Sequence, residues 1–157
     1  MGFRVEPKLI HWAVVEGTQE VPIVVAHDKI IAPATADEAA ALGTFRERAR
    51  HLFTTYGPNA VAIRSAEPMA RGANRDGPRR RSRIEGVLME ASHSCGLPVT
   101  IGPLATISSR LDTKRAKEYL ARGEFRGLDL KTIPGSGREA VLVAVAQLSR
   151  KARDEEP

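Results

Sequence analysis

Three apolar runs of strand length crowd the first 34 residues, and they limit the possible folds more than any other feature of the chain. Lys8–Gly17 (KLIHWAVVEG), Val21–Ala26 (VPIVVA) and Ile30–Ala34 are separated only by the polar stretches Gly17–Glu20 and His27–Lys29. Strands joined this tightly pair as antiparallel neighbours. Pro22 is acceptable near a strand start, where a missing ladder donor does little harm. Residues 1–7 read as a loose start.

A different rhythm follows. Thr35-Ala36-Asp37-Glu38 has the form of a capping box, with Thr35 as cap and Glu38 reaching back. Leu42, Phe45, Ala49, Leu52 and Phe53 then recur at helical spacing until Gly57-Pro58. Asn59–Ile63 is a short apolar run suited to a central strand. A second helix is expected from about Arg81 to Ser94, then a strand over Leu97–Gly102. Pro103–Leu111 reads as a connection. Asp112 caps a basic helix holding Lys114, Arg115 and Lys117, and a last helix covers Gly137–Lys151. Gly123, Gly127 and Pro134-Gly135 mark a loop-rich stretch between these two helices. Three strands in a meander, then strands alternating with helices, give an α/β fold with a five-stranded mixed sheet and helices on both faces. Right-handed crossovers order that sheet 3-2-1-4-5. The 157 residues form one domain with no interdomain linker, and residues 152–157 form a frayed tail.

Charge is concentrated in one place. Between Arg64 and Arg83 lie seven arginines (64, 71, 75, 79, 80, 81, 83) against Glu67 and Asp76, a net of +5 that equals the surplus of the whole chain. Gly72, Gly77 and Pro78 make this stretch a Gly/Arg-rich loop. Guanidinium groups stay charged and donate paired hydrogen bonds to phosphate oxygens, so an anionic polymer is the expected partner. The alternative is a solvated segment with no ligand. Aromatic residues are only 4% of the chain, too few for a row of base-stacking rings. Cys95 is the single cysteine, and His11, His27, His51 and His93 are scattered. A thiolate metal site or a Cys/His nucleophile therefore has no support. The longest apolar run, Ala140–Ala146, is too short to span a bilayer, and no targeting segment is visible. The expectation is a cytoplasmic protein with no membrane partner.

The stretch YGPNAVAIRSAE resembles the fourth-strand segment "pD-x-V-A-I-E" of RuvC-type Holliday-junction resolvases, a branch of the ribonuclease H-like fold. SGREAVLVAVAQLSR resembles their last helix, "D-x-x-D-A-L-A-I-A", and the element order agrees over roughly residues 8–150. The Gly/Arg insertion before SRIEGVL is also similar to an uncharacterised RuvC-like family of small bacterial proteins. The resemblance implies a nuclease in which about four carboxylates hold two divalent metal ions. Residue by residue, the first-strand aspartate falls within His11–Val15, where nothing is acidic, with Glu16 at the strand end. The fourth-strand glutamate falls on Arg64, and the last-helix pair on Ser136 and Glu139. A guanidinium in place of a metal ligand repels a metal ion.

Three readings follow. The first is a catalytically degenerate domain that binds nucleic acid, with DNA favoured, through Arg64, Arg71, Arg75, Arg79, Arg80, Arg81 and Arg83, and along a second line at Lys114, Arg115 and Lys117. It has no catalytic residues, metal or cofactor. The second is a protein-interaction module of the same fold, including a homodimer. The third is a nuclease with displaced ligands at Glu16, Glu67 and Glu139, using Mg²⁺ or Mn²⁺. Structural readings compete at two acids. Ser136-Gly137-Arg138-Glu139 and Ser82-Arg83-Ile84-Glu85 both have capping-box form.

Overall fold

The computed structural model describes residues 1–35, 37–65, 76–113 and 115–150. Its main sheet has five strands in the order β3-β2-β1-β4-β5. They are β1 (Gly2–Val5), β2 (Leu9–Gly17), β3 (Pro22–Ile31), β4 (Val61–Arg64) and β5 (Val99–Gly102). β1 pairs antiparallel with β2 and parallel with β4, and β4 pairs parallel with β5. The expected order therefore holds, but two strand assignments move. The central strand is Gly2–Val5, in the segment expected to be a loose start. The second and third expected strands are one continuous β3, and His27-Asp28-Lys29 lie within it, opposite Ala13, Trp12 and His11. Charged residues suit that position because β3 is an edge strand open to solvent.

Helices cover both faces. α1 (Glu38–Tyr56) and α2 (Asp76–Ser94) pack on one side, where Phe3, Val5, Ile10, Phe45, Phe53, Ile63, Ile84 and Leu88 form a buried cluster. α5 (Gly135–Val145) packs on the other, and Ala140–Val145 are all buried. The alternation of β1 follows from this sandwich. Phe3 and Val5 join the α1/α2 cluster, while Gly2 and Arg4 turn toward α5. A Cβ on Gly2 would lie 2.2 Å from Ala140 O and 2.8 Å from Ala144 Cβ, so the helix rests on bare backbone.

The remaining elements cap the α5 side: α3 (Leu104–Arg110), α4 (Ala116–Arg122), and the hairpin β6 (Glu124–Phe125) and β7 (Leu128–Asp129). The hairpin and α3 fall where loops were expected. Arg126 and Gly127 turn the hairpin with φ of 45° and 83°. Arg138 on α5 anchors the cap by donating to the carbonyls of Leu120, Leu130, Lys131 and Ile133. Asp112 has φ 51° and caps nothing; the residue at the α4 N-cap is Arg115, which makes no side-chain cap bond. At α1 the cap is Asp37, whose carboxylate accepts from Ala39 N and Ala40 N, while Thr35 Oγ1 accepts from Asp37 N. No helix among the described residues is long and apolar enough to cross a membrane.

Gly2→Val forces a branched side chain into the α5 backbone. The expected loss is about 1–3 kcal/mol of unfolding free energy, measured by urea denaturation.

Candidate functional site

The sheet places one position apart from all others. The chain leaves β1 toward β2 on one side and leaves β4 toward β5 on the other. The connections therefore diverge at the carboxyl ends of β1 and β4, the switch point where open α/β sheets bind ligands in a crevice. The amino end of α5 faces the same place, with Ser136 and Glu139 in its first turns.

Register decides what the crevice contains. Arg4 on β1 stands directly beside Arg64 on β4. Two guanidiniums at adjacent strand positions repel unless an anion lies between them. Glu139 supplies it. Its Oε2 lies 2.9 Å from Arg4 Nε and 2.8 Å from Arg64 Nε. Arg64 is 5% exposed. Arg4 Nη1 donates to Val5 O at 2.8 Å, and Arg64 Nη1 donates to Ser65 O. A few ångströms along, Glu6 follows directly after β1. Its Oε1 accepts from the Ser136 hydroxyl and lies 3.6 Å from His11 Nε2. Gly137 leaves room for Ile133, just before α5, since a Cβ there would lie 2.7 Å from Ile133 Cγ2; His11 Nδ1 would be in ordinary contact at 3.7 Å.

Several sequence expectations change here. The resemblance places the first acid within His11–Val15, but the central strand ends at Val5 and the acid next to it is Glu6. Of the four positions that the resemblance implies, two are therefore acidic, Glu6 and Glu139, and Ser136 and Arg64 hold the other two. The capping-box reading of Ser136 and Glu139 fails. Pro134 is the N-cap of α5 and no side chain caps it, because both residues turn into the crevice. Glu85 lies in the middle of α2, well past its first turn, and is buried. Glu16 is exposed at the far end of β2, beyond the register position of Gly2. At ~3.3 Å per residue it is roughly 20 Å from the crevice, so it cannot join Glu139 around one ion.

The arginine stretch divides. Arg64 is a buried strand residue. Arg79, Arg80, Arg81 and Arg83 lie in α2, which starts at Asp76 and takes Pro78 in its first turn, where proline is tolerated. They are therefore on a helix, not a loop. Arg83 pairs with Glu38 across to α1. Arg115 pairs with Glu118 at 2.8 Å, and Lys117 is exposed on α4. Glu67, Arg71, Arg75 and Lys114 lie outside the described residues. Arg4, Glu6 and His11 were not picked out from sequence as site residues. The available signal was Phe3 and Val5 at period two, ending on an acid. Among the described residues, no group of three or more His, Cys, Asp or Glu is placed to hold a metal ion.

The sequence matches no protein-family model and no curated protein. Its structure superposes on Thermus thermophilus RuvC with TM-score 0.75 and 17% identity, covering 92% of this chain and 90% of the other. T. thermophilus RuvC in complex with a Holliday junction substrate gives TM-score 0.74 and 17% identity, covering 92% and 88%. The fold is RuvC-like. Both the ribonuclease H-like architecture and its strand order are thereby shown. Within this RuvC-like frame, the described residues of the crevice at β1, β4 and α5 carry balanced charge: Arg4 and Arg64 against Glu6 and Glu139.

His11 gives the site a pH signature. Burial holds its pKa below the ordinary value; Lys29 and Arg4 act in the same direction, while Glu6 and Glu139 oppose it. The unfolded chain takes up this proton near pH ~6.5 and the folded chain only at lower pH. Stability is thus at its full value above about pH 6.5 and falls as the pH drops below it. Urea denaturation at about pH 7.5 and pH 5.5 should show this decline, and His11→Asn should reduce it.

Proposed function

We propose that this protein is a RuvC-fold domain that binds nucleic acid, DNA in preference, and holds it without metal-dependent cleavage. One observation carries the reading: Glu139, the acid that the resemblance assigns to metal binding, is held between Arg4 and Arg64. Hard divalent ions need carboxylate oxygens free to coordinate them. Here one oxygen already lies at ion-pair distance from two guanidiniums, a third position is a neutral hydroxyl, and the fourth is itself a cation. The residues present do not fit a two-metal set, so no hydrolytic step is derived through one.

Binding has independent support. The fold is shared with a protein solved in complex with a Holliday junction substrate. Arg79 and Arg80 lie in the first turns of α2, the helix that follows the Arg64 strand. Contacts from such side chains go to phosphates and are tolerant of sequence. Arg71, Arg75, Arg81, Lys114 and Lys117 extend the same expectation.

The test is binding to duplex and four-way-junction DNA in the presence of a chelator. With four to five phosphates neutralised, log K against log salt should slope at about −4. Arg79→Gln with Arg80→Gln should lower that slope by about 2 and weaken all sequences alike. Junction cleavage in Mg²⁺ or Mn²⁺ that disappears in Glu139→Ala would overturn the proposal, as would an affinity indifferent to salt.

A second reading draws on β3. Ile23, Val25 and Ile31 on this edge strand, and Val21 just before it, are 46–68% exposed. Apolar edges suit pairing with another chain, either a partner protein or a second copy. Size-exclusion chromatography after nuclease treatment separates the two readings: a complex that survives digestion favours the interaction module.

A further inference from the structure

We infer that Arg4 and Arg64 are the resident cations of the switch-point crevice, doing permanently the structural work that a divalent ion does in a carboxylate-rich site. The inference rests on the metal-free half of the proposed function and extends it to the folding of this chain. Three elements meet at the crevice: β1, β4 and the start of α5. Each brings charge to a place with little water. The side chains of Arg64, Arg4 and Glu139 are 6%, 13% and 18% exposed. A buried carboxylate with no cation beside it is strongly disfavoured. Glu139 is therefore the common anion that lets two neighbouring strands each carry a guanidinium and ties both of them to α5. Arg64 acts here as a positioning residue for the fold.

Charge counting makes the idea testable. Among the described residues the crevice holds two carboxylates, Glu6 and Glu139, against two guanidiniums. Their balance leaves no demand for an added ion. Arg64→Glu changes this to three carboxylates against Arg4 alone, a local charge of −2. The new carboxylate would stand on β4, beside the strand that leads into Glu6 and against the helix that carries Glu139. That is the charge and the ligand type that one divalent cation satisfies. One substitution should thus convert a metal-indifferent fold into a metal-dependent one.

The experiment compares the full-length wild type with Arg64→Glu, Arg64→Gln and the double variant Arg64→Glu/Glu139→Gln. Melting temperature is read in chelator and in Mn²⁺, and Mn²⁺ binding is titrated calorimetrically. The wild type should melt at the same temperature in both and show no saturable Mn²⁺ site. In chelator, Arg64→Glu and Arg64→Gln should both melt lower by roughly 6–20 °C, the range for breaking a buried pair in a chain of this size. Mn²⁺ should raise the melting temperature of Arg64→Glu and bind it at about one ion per chain, while Arg64→Gln and the double variant stay unresponsive. If Arg64→Glu does not fold in chelator, refolding in Mn²⁺ but not in chelator supports the inference equally. Saturable Mn²⁺ binding that stabilises the wild type would overturn the inference, as would an Arg64→Glu variant indifferent to Mn²⁺. Wild-type DNA affinity in chelator tests the proposed function separately, so the two can fail independently.

Discussion

A single carboxylate oxygen lets this sheet exist with its present sequence. The parallel register of β1 and β4 sets Arg4 beside Arg64, on the face that α5 covers. Two cations at neighbouring strand positions, shielded from water, would push the strands apart. Glu139 reaches both from the first turns of α5, so the contact that neutralises them also docks the helix. The docking in turn demands Gly2, because α5 lies too close to β1 for any side chain at that position. Helix position, strand register and charge balance are therefore one constraint.

That constraint falls at the one place on the sheet where an α/β fold of this order offers a crevice. The architecture is shared with RuvC, at 17% sequence identity. Acids persist at Glu6 and Glu139, a serine hydroxyl donates to one of them, and guanidiniums bracket the other. Such a set neutralises itself. It holds β1, β4 and α5 together, and under the proposed function ligand contact falls to more exposed groups, among them the arginines at the start of α2.

Much of the fold was legible because its long elements obey simple periods. α1 has apolar residues at helical spacing, and β2 is an apolar run of strand length between polar turns. β1 was not legible. Its four residues include a glycine and an arginine, and both face a helix that lies more than a hundred residues away in sequence. Missing β1 displaced the acid search to His11–Val15 and hid Glu6. The capping boxes misled for a related reason. Ser136 and Glu139 have the right spacing to cap a helix, but the crevice offers both of them stronger partners. Likewise, Gly77 and Pro78 suggest a loop, although proline in a helix's first turn breaks no hydrogen bond.

Local sequence determined the inventory: a strand-rich start, helices alternating with strands, a basic segment, and arginine and serine at positions where the sequence resemblance implies acids. These depend on interactions within a few residues, which periodicity and composition record. Only the tertiary structure decided that Gly2–Val5 is the central strand, that Arg64 is buried, and that Arg4, Arg64 and Glu139 meet. Those facts come from register between strands some sixty residues apart and from a helix at the other end of the chain. Charge pairing across such distances leaves no periodic trace along the chain, because it is set by where the backbone places each group in space.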